Sequence, residues 1–244
     1  MRNYATAQNI GGRDEQCDAT AVYTAPTGAR AYVLLDGIGS TPSVRAWTRE
    51  TAARLARTAA RHGDAETGLR AVHTRLRAER EDVHPYSRRY LPKACAVVAV
   101  TAPGSPLTVA WCGDPRAYVL VRGTARLLTN DHNLRRVYPP CDMYPEGGSR
   151  HRVTTCLGSS ADDAQVAAEY RHPAIEAVTV PAENCRLLLA SDGAYEPIED
   201  NRADVATYLV GAPREAAQDL VTTAVAWAGD RPDNATALVA DLRP

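Results

Sequence analysis

Between residues 94 and 129 the chain packs four short apolar runs with only a few turn residues between them. They are Ala94 to Thr101 (ACAVVAVT), Leu107 to Cys112 (LTVAWC), Arg116 to Val121 (RAYVLV) and Ala125 to Thr129 (ARLLT). Pro103, Gly104, Gly113, Asp114 and Gly123 punctuate them. Parallel neighbours need a crossover of a dozen or more residues, so links this short exclude a βαβ pattern and predict hairpins in an antiparallel meander.

The flanks add helices and more strands. Asp18 to Ala25 and Arg30 to Leu35 read as strands around the turn Pro26-Thr27-Gly28. Val44 to Arg61 and Ala65 to Arg80 are rich in Ala, Arg, Leu and Glu and read as a helix pair. Val44, Trp47, Thr51, Leu55 and Ala59 fall on one face of the first, and Leu69, Val72 and Leu76 form a stripe on the second. Trp47 and Trp227 are expected in the cores of their helices, and His62, His73 and His84 in solvent. Residues 130–152 carry three Pro and two Gly and predict an irregular surface segment with a short helix near Leu134 to Val137. A buried strand at Arg186 to Ala190, a helix from Pro213 to Trp227 and a closing strand at Ala235 to Leu242 complete the pattern. Strand groups interleaved with helix pairs predict an α+β fold, helices packed on antiparallel sheets.

Composition removes several functions. The 244 residues suit one domain or two small ones, with 45% hydrophobic residues, and the net charge of −1 leaves no global field for nucleic acid or anionic lipid. Lys93 is the single lysine, so neither a P-loop nor a Schiff-base lysine exists elsewhere. The opening residues lack the apolar stretch of a signal peptide, and no run is long enough to span a membrane. The six cysteines form no C-x-x-C pair, and a reduced, cytoplasmic monomer is expected.

Aspartates recur at strand ends. Asp36-Gly37 follows RAYVLL, Asp192-Gly193 follows RLLLAS, Asp114 follows LTVAWCG, Asp233-Asn234 precedes ATALVADL, and Asp18 opens DATAVYTA. One Asp-Gly step alone is an ordinary turn. Together, at the ends of strands that must share a core, these carboxylates would repel unless protonated or matched by a cation. Oxygen-only donors favour Mg²⁺ or Mn²⁺ over zinc.

The order of short motifs resembles the metal-dependent PPM (type 2C) serine/threonine protein phosphatases, in particular the compact bacterial ones. The motifs are Arg13 five residues before Asp18, DGIGS at 36–40, GDPR at 113–116, LTNDHN at 128–133, LG at 157–158, SDG at 191–193 and DNAT at 233–236. They span Tyr4 to Leu242, so the resemblance implies one domain over 1–244 with a flap-like segment at about 130–152. The fold it implies is a four-layer α/β/β/α sandwich, two mainly antiparallel sheets flanked by helix pairs. It further implies hydrolysis of phosphoserine and phosphothreonine in phosphorylated proteins, by in-line attack of water held between two Mn²⁺ or Mg²⁺ ions. Asp36 would bridge the ions, with the Gly37 carbonyl on the second, and Asp192 and Asp233 would complete the first. Asp18 would act through metal-held water, Asp114 would hold a third ion, and Arg13 would bind the substrate phosphate.

The chain departs from the family pattern at Cys17, where a metal-ligating Glu is usual, at Lys93-Ala94-Cys95 in place of Gly-Thr-Thr, and at Ser40 in place of a second Gly. These departures keep two alternatives open: a pseudophosphatase that binds without turnover, and another metal-dependent phosphoesterase. Asp131 and His132 read as structural, and Cys17 as a buried spacer or a metal-tuning or redox residue.

Overall fold

A computed structural model describes residues 3–181 and 184–242. The chain opens with β1 (Tyr4–Asn9), β2 (Ala19–Thr24) and β3 (Arg30–Gly37). Helices α1 (Pro42–His62), α2 (Ala65–Ala78) and α3 (Pro85–Arg88) follow. Next come β4 (Ala94–Thr101), β5 (Leu107–Cys112), β6 (Arg116–Val121) and β7 (Thr124–Leu127). Then α4 (Leu134–Val137), α5 (Asp163–Tyr170), β8 (Glu176–Val180), β9 (Cys185–Ala190) and α6 (Asp192–Asp200) lead through a 3₁₀ turn to α7 (Pro213–Trp227) and β10 (Ala235–Leu242).

Two five-stranded antiparallel sheets result, ordered β2-β3-β4-β5-β8 and β1-β10-β9-β6-β7. Strand periodicity explains why they stack. Along β3, Val33 and Leu35 pack toward Leu55 and Leu69 of the α1/α2 pair. The alternate residues Tyr32 and Leu34 face Leu187, Leu189 and Leu238 of the second sheet. On that sheet's far side Leu188 and Val239 meet Ile198 of α6 and Leu220 of α7. Three apolar strata therefore separate four layers. Each sheet is covered on both faces, which is why ACAVVAV and RLLLA are apolar throughout instead of alternating.

One expectation is corrected. The four central runs are not one meander. β4–β5 and β6–β7 are hairpins, but β5 belongs to the first sheet and β6 to the second. The link Gly113-Asp114-Pro115 crosses between them. Three extended residues reach about 10 Å, the spacing of stacked sheets, so a short link permits a change of sheet as readily as a reversal. Strand β6 is captured by β9, in register Arg116 with Ala190.

Other local readings also shift. Asp192-Gly193 does not close a turn but opens α6, whose internal Pro197 masked it as a helix. Edge strands β1 and β8 are short and half-polar, and so lacked a periodic signal. Trp227 is not a core residue: it is 43% exposed at the end of α7, edge-on to Tyr208. Trp47 is half-buried and packs against the first core cluster. No helix among the described residues is long and apolar enough to cross a membrane.

His73, expected in solvent, is buried on α2, and its Nε2 has no hydrogen-bond partner. Burial, reinforced by Arg77, lowers its pKa to about 4. The folded chain thus keeps a neutral imidazole while the unfolded chain protonates near the usual 6.5, so stability is present above that value and lost as the pH falls toward 4. Replacing His73 by Met should stabilise the fold at pH 5 more than at pH 7.5, by on the order of 1–2 kcal/mol, seen as a larger rise in unfolding temperature at the lower pH. Equal shifts at both pH values would show that His73 does not carry this acid sensitivity.

Candidate functional site

Antiparallel pairing alternates chain direction, so one end of the two sheets collects the exits of β3, β5 and β9 and the entries of β2, β6 and β10. Every predicted aspartate lies at that end. Asp18 precedes β2 and Asp36 lies at the end of β3, where Ala19 pairs with Leu35. Asp36 pairs in turn with Cys95 of β4. Asp114 sits in the crossing link, Asp192 is the first residue of α6, separated from β9 by Ser191 alone, and Asp233 lies two residues before β10.

At that end one hydrogen bond crosses between the sheets, from the Cys17 amide, and others tie neighbouring strand ends of the second sheet. Asn234 Oδ1 accepts from the Cys17 amide at 2.7 Å, and its Nδ2 donates to the Ile10 carbonyl at 2.8 Å. Ser191 Oγ accepts from the Thr236 amide at 2.9 Å. Gly37 fits flush against Cys17: a Cβ at that position would run into the Cys17 carbonyl. The Cys17 side chain is buried, with Sγ 3.7 Å from the Thr41 carbonyl. Its pKa is raised, chiefly by burial and further by Asp18.

Electrostatics give the cluster its character. Burial, followed by Asp192 and the other aspartates, pushes the pKa values of Asp18 and Asp36 well above the carboxylate range. Hydroxyls of Thr236 and Ser191 only partly offset this for Asp18. Asp114 rises to about 7, again from burial and then Asp192, and Asp192 itself is raised by burial and by Asp233. Asp18 Oδ2 is buried without any hydrogen-bond partner. Buried carboxylates in mutual repulsion, one with an orphaned oxygen, form a site that fits a hard divalent cation.

Arg13 stands at the rim, its Nη2 2.6 Å from Asp233 Oδ2, with both side chains partly exposed. The tightest grouping of three possible metal donors among the described residues is one the sequence reading passed over. Ligand atoms of His151, Asp192 and Glu196 lie within 4.8 Å of one another. Glu196 is raised to about 8 by burial and then by Asp192. Its signal was present: Asp192 and Glu196 are four residues apart and share a face of α6. His151 carried none, because it lies in the irregular segment. A cavity of about 330 Å³ opens beside the cluster, lined by Arg13, His151, Asp192, Glu196, Trp227 and Asp233 among others.

Contacts from His132, Arg116 and Tyr195 fix the crossing link. Buried His132 donates its backbone N–H to the Gly113 carbonyl at 2.9 Å, and its ring Nδ1 faces the Gly113 amide at 3.4 Å. The other ring nitrogen meets Glu176 at 2.9 Å. Arg116 pairs with Asp131 at 2.9 Å and with Glu199 at 2.7 Å, and lies 3.9 Å over the Tyr195 ring. Tyr195 Oη donates to the Asp114 carbonyl at 3.1 Å. Asp131 and His132 thus support the link structurally.

No protein-family model matches the chain, and no curated protein matches its sequence. Solved structures match it throughout. The serine/threonine phosphatase Stp1 from Staphylococcus aureus superposes with a TM-score of 0.74 at 18% identity, over 100% of this chain and 96% of that one. The serine/threonine phosphatase PstP/Ppp from Mycobacterium tuberculosis gives 0.68 at 22% identity, over 99% and 98%. The PPM Ser-Thr phosphatase MsPP from Mycobacterium smegmatis, solved with cacodylate, gives 0.70 at 22% identity, over 98% and 97%. The chain therefore has the fold of the bacterial PPM-type serine/threonine phosphatases, as the order of its motifs implied.

Proposed function

We propose that residues 1–244 form one catalytic domain, a Mn²⁺- or Mg²⁺-dependent phosphatase that removes phosphate from serine or threonine of a phosphorylated protein, acting as a cytoplasmic monomer. The observation that carries this reading is the group of buried aspartates at the shared end of the two sheets, with the unpartnered Asp18 Oδ2 among them. Asp36, Asp192 and Asp233 would hold the first ion, Asp36 and the Gly37 carbonyl the second, with Asp18 behind them and Asp114 beside a third. Bound there, divalent ions supply charge to offset the phosphoryl oxygens and acidify water to serve as the nucleophile.

The chain's own groups do the rest. Arg13, a planar donor at the rim, orients the phosphoryl group for in-line displacement of the seryl or threonyl oxygen. The stitching by Asn234 and Ser191 keeps the carboxylates from splaying under their mutual repulsion. Replacing Arg13 by Ala should raise KM for p-nitrophenyl phosphate about tenfold or more with a smaller change in kcat, as expected for loss of a charged hydrogen bond to substrate. An unchanged KM would mean that Arg13 serves only Asp233.

A binding module without turnover is the competing reading, favoured by Cys17, a thiol that lies against the Thr41 carbonyl. Manganese-dependent hydrolysis of p-nitrophenyl phosphate and of a phosphothreonine peptide, lost in Asp192→Asn, supports the phosphatase. Metal binding with no turnover on either would support the module. Faster turnover of a nucleotide or DNA would indicate a different phosphoesterase.

A further inference from the structure

A second cavity, of about 520 Å³, shares no lining residue with the one beside the aspartates. It lies between the C-terminal half of α2, α3 and the turn at residues 158–160. Its walls carry five cationic side chains, Arg77, Arg80, Arg88, Arg89 and Lys93, against one acid, Glu81. That is a strong local excess in a chain whose net charge is −1.

The cations divide into a fixed frame and free donors. Arg80 donates from Nη1 to the Gly158 carbonyl and from Nη2 to the Pro92 carbonyl, each at 2.6 Å, and lies 5.2 Å over the Trp47 ring. Arg77 Nε donates to the Ser160 carbonyl at 3.0 Å, and Arg88 Nε to that of Val83 at 2.6 Å. The side chains of Arg89 and Lys93 make no hydrogen bond or ion pair with any described residue. Backbone carbonyls orient Arg80 and Arg88 without neutralising them, while Arg77 also pairs with Asp162, its Nη2 3.6 Å from Oδ2, so Arg80, Arg88, Arg89 and Lys93 leave the pocket with a positive excess over Glu81. A guanidinium fork beside an ammonium suits a phosphate dianion.

The pocket is tied to the acidic mouth through one strand end. The Lys93 carbonyl accepts from the Ile38 amide at 2.9 Å, and the next residue, Ala94, pairs with Gly37. An extended peptide, advancing about 3.3 Å per residue, is the kind of ligand that engages both places at once. We infer that this pocket binds a second phosphate group of the same polypeptide substrate, a few residues from the one at the aspartates, so that multiply phosphorylated segments are preferred. The inference rests on the phosphatase reading for its substrate but on the pocket alone for its anion.

The test uses fluorescence anisotropy with Mn²⁺ present on the wild-type chain and on Arg89→Glu/Lys93→Glu. Labelled peptides carry non-hydrolysable phosphonate analogues of phosphothreonine: one, two placed four to six residues apart, or one with Glu at the second place. The doubly phosphorylated peptide should bind the wild type about tenfold more tightly than the singly phosphorylated one, an advantage that disappears in the double variant and shrinks at high salt. Hydrolysis of p-nitrophenyl phosphate should be unchanged in that variant. Equal affinities for one and two phosphates, or an advantage that survives charge reversal, would overturn the inference. So would full retention with Glu, or tighter binding of a single-stranded RNA of equal charge. Absent hydrolysis by the wild type alongside a retained two-phosphate preference would sink the phosphatase reading and leave the pocket standing.

Discussion

Asp36→Asn should abolish metal-dependent phosphatase activity, by more than about 100-fold, and at the same time stabilise the protein in the absence of metal. The two effects share one cause. Asp36 is buried among Asp192, Asp18, Asp114 and Asp233, which add to burial in raising its pKa. Without an ion Asp36 must either carry a repelled charge or take up a proton at a cost the unfolded chain does not have, so a neutral isostere relieves the cluster. Asn also keeps a donor for Asp192, whose raised pKa is partly offset by the hydrogen bond from Asp36. The expected gain is about 1–3 kcal/mol, or roughly 2–4 °C in unfolding temperature per kcal/mol for a chain of this size. Added Mn²⁺ should raise the unfolding temperature of the wild type strongly and of Asp36→Asn weakly. Differential scanning fluorimetry with and without Mn²⁺ reads both effects. If the metal-free variant melted at or below the wild type, the carboxylates would not be in uncompensated repulsion, and the case for a dication site would fail.

The second large effect is expected at the crossing link. Gly113 has φ +97°, and a Cβ there would collide with the Cys95 side chain. Gly113→Ala therefore combines a left-handed backbone strain of about 1–2 kcal/mol with overpacking of about 1–3 kcal/mol. The sum corresponds to a fall of roughly 5–20 °C in unfolding temperature. Because Asp114 follows directly, catalysis should fall as well. Adding Cys95→Gly removes the side chain that the new methyl meets and should recover part of the loss, a coupling that a double-mutant cycle measures. Full additivity of the two substitutions would show that the contact between β4 and the link does not govern this position.

Legibility in the sequence followed the range of the physical signal. Helices α1, α2 and α7 and strands β4, β5, β6 and β10 were readable within a residue or two, because burial on a helix face or on both faces of a strand imprints its period locally. Strands β1 and β8 were not, since an edge strand buries little and carries no such imprint. Helix α6 was hidden behind an Asp-Gly step and Pro197, two features that favour turns on local grounds and yield here to packing on α7 and β10. His73 was misread for a similar reason: nothing in the local pattern says that one face of α2 closes over its imidazole.

The candidate site divides in the same way. That aspartates sit at strand ends is a property of the linear chain, and the need of gathered carboxylates for a cation follows from Coulomb's law alone. Which ends gather is decided in three dimensions. Asp114 reaches the cluster because β6 pairs with β9 instead of folding back on β5, and His151 joins Asp192 and Glu196 because an irregular segment returns to α6. Strand partners are chosen by burial summed over residues far apart in the chain. A local period therefore determines what each element is and which face it buries, while the company its end keeps is settled only when the sheets stack.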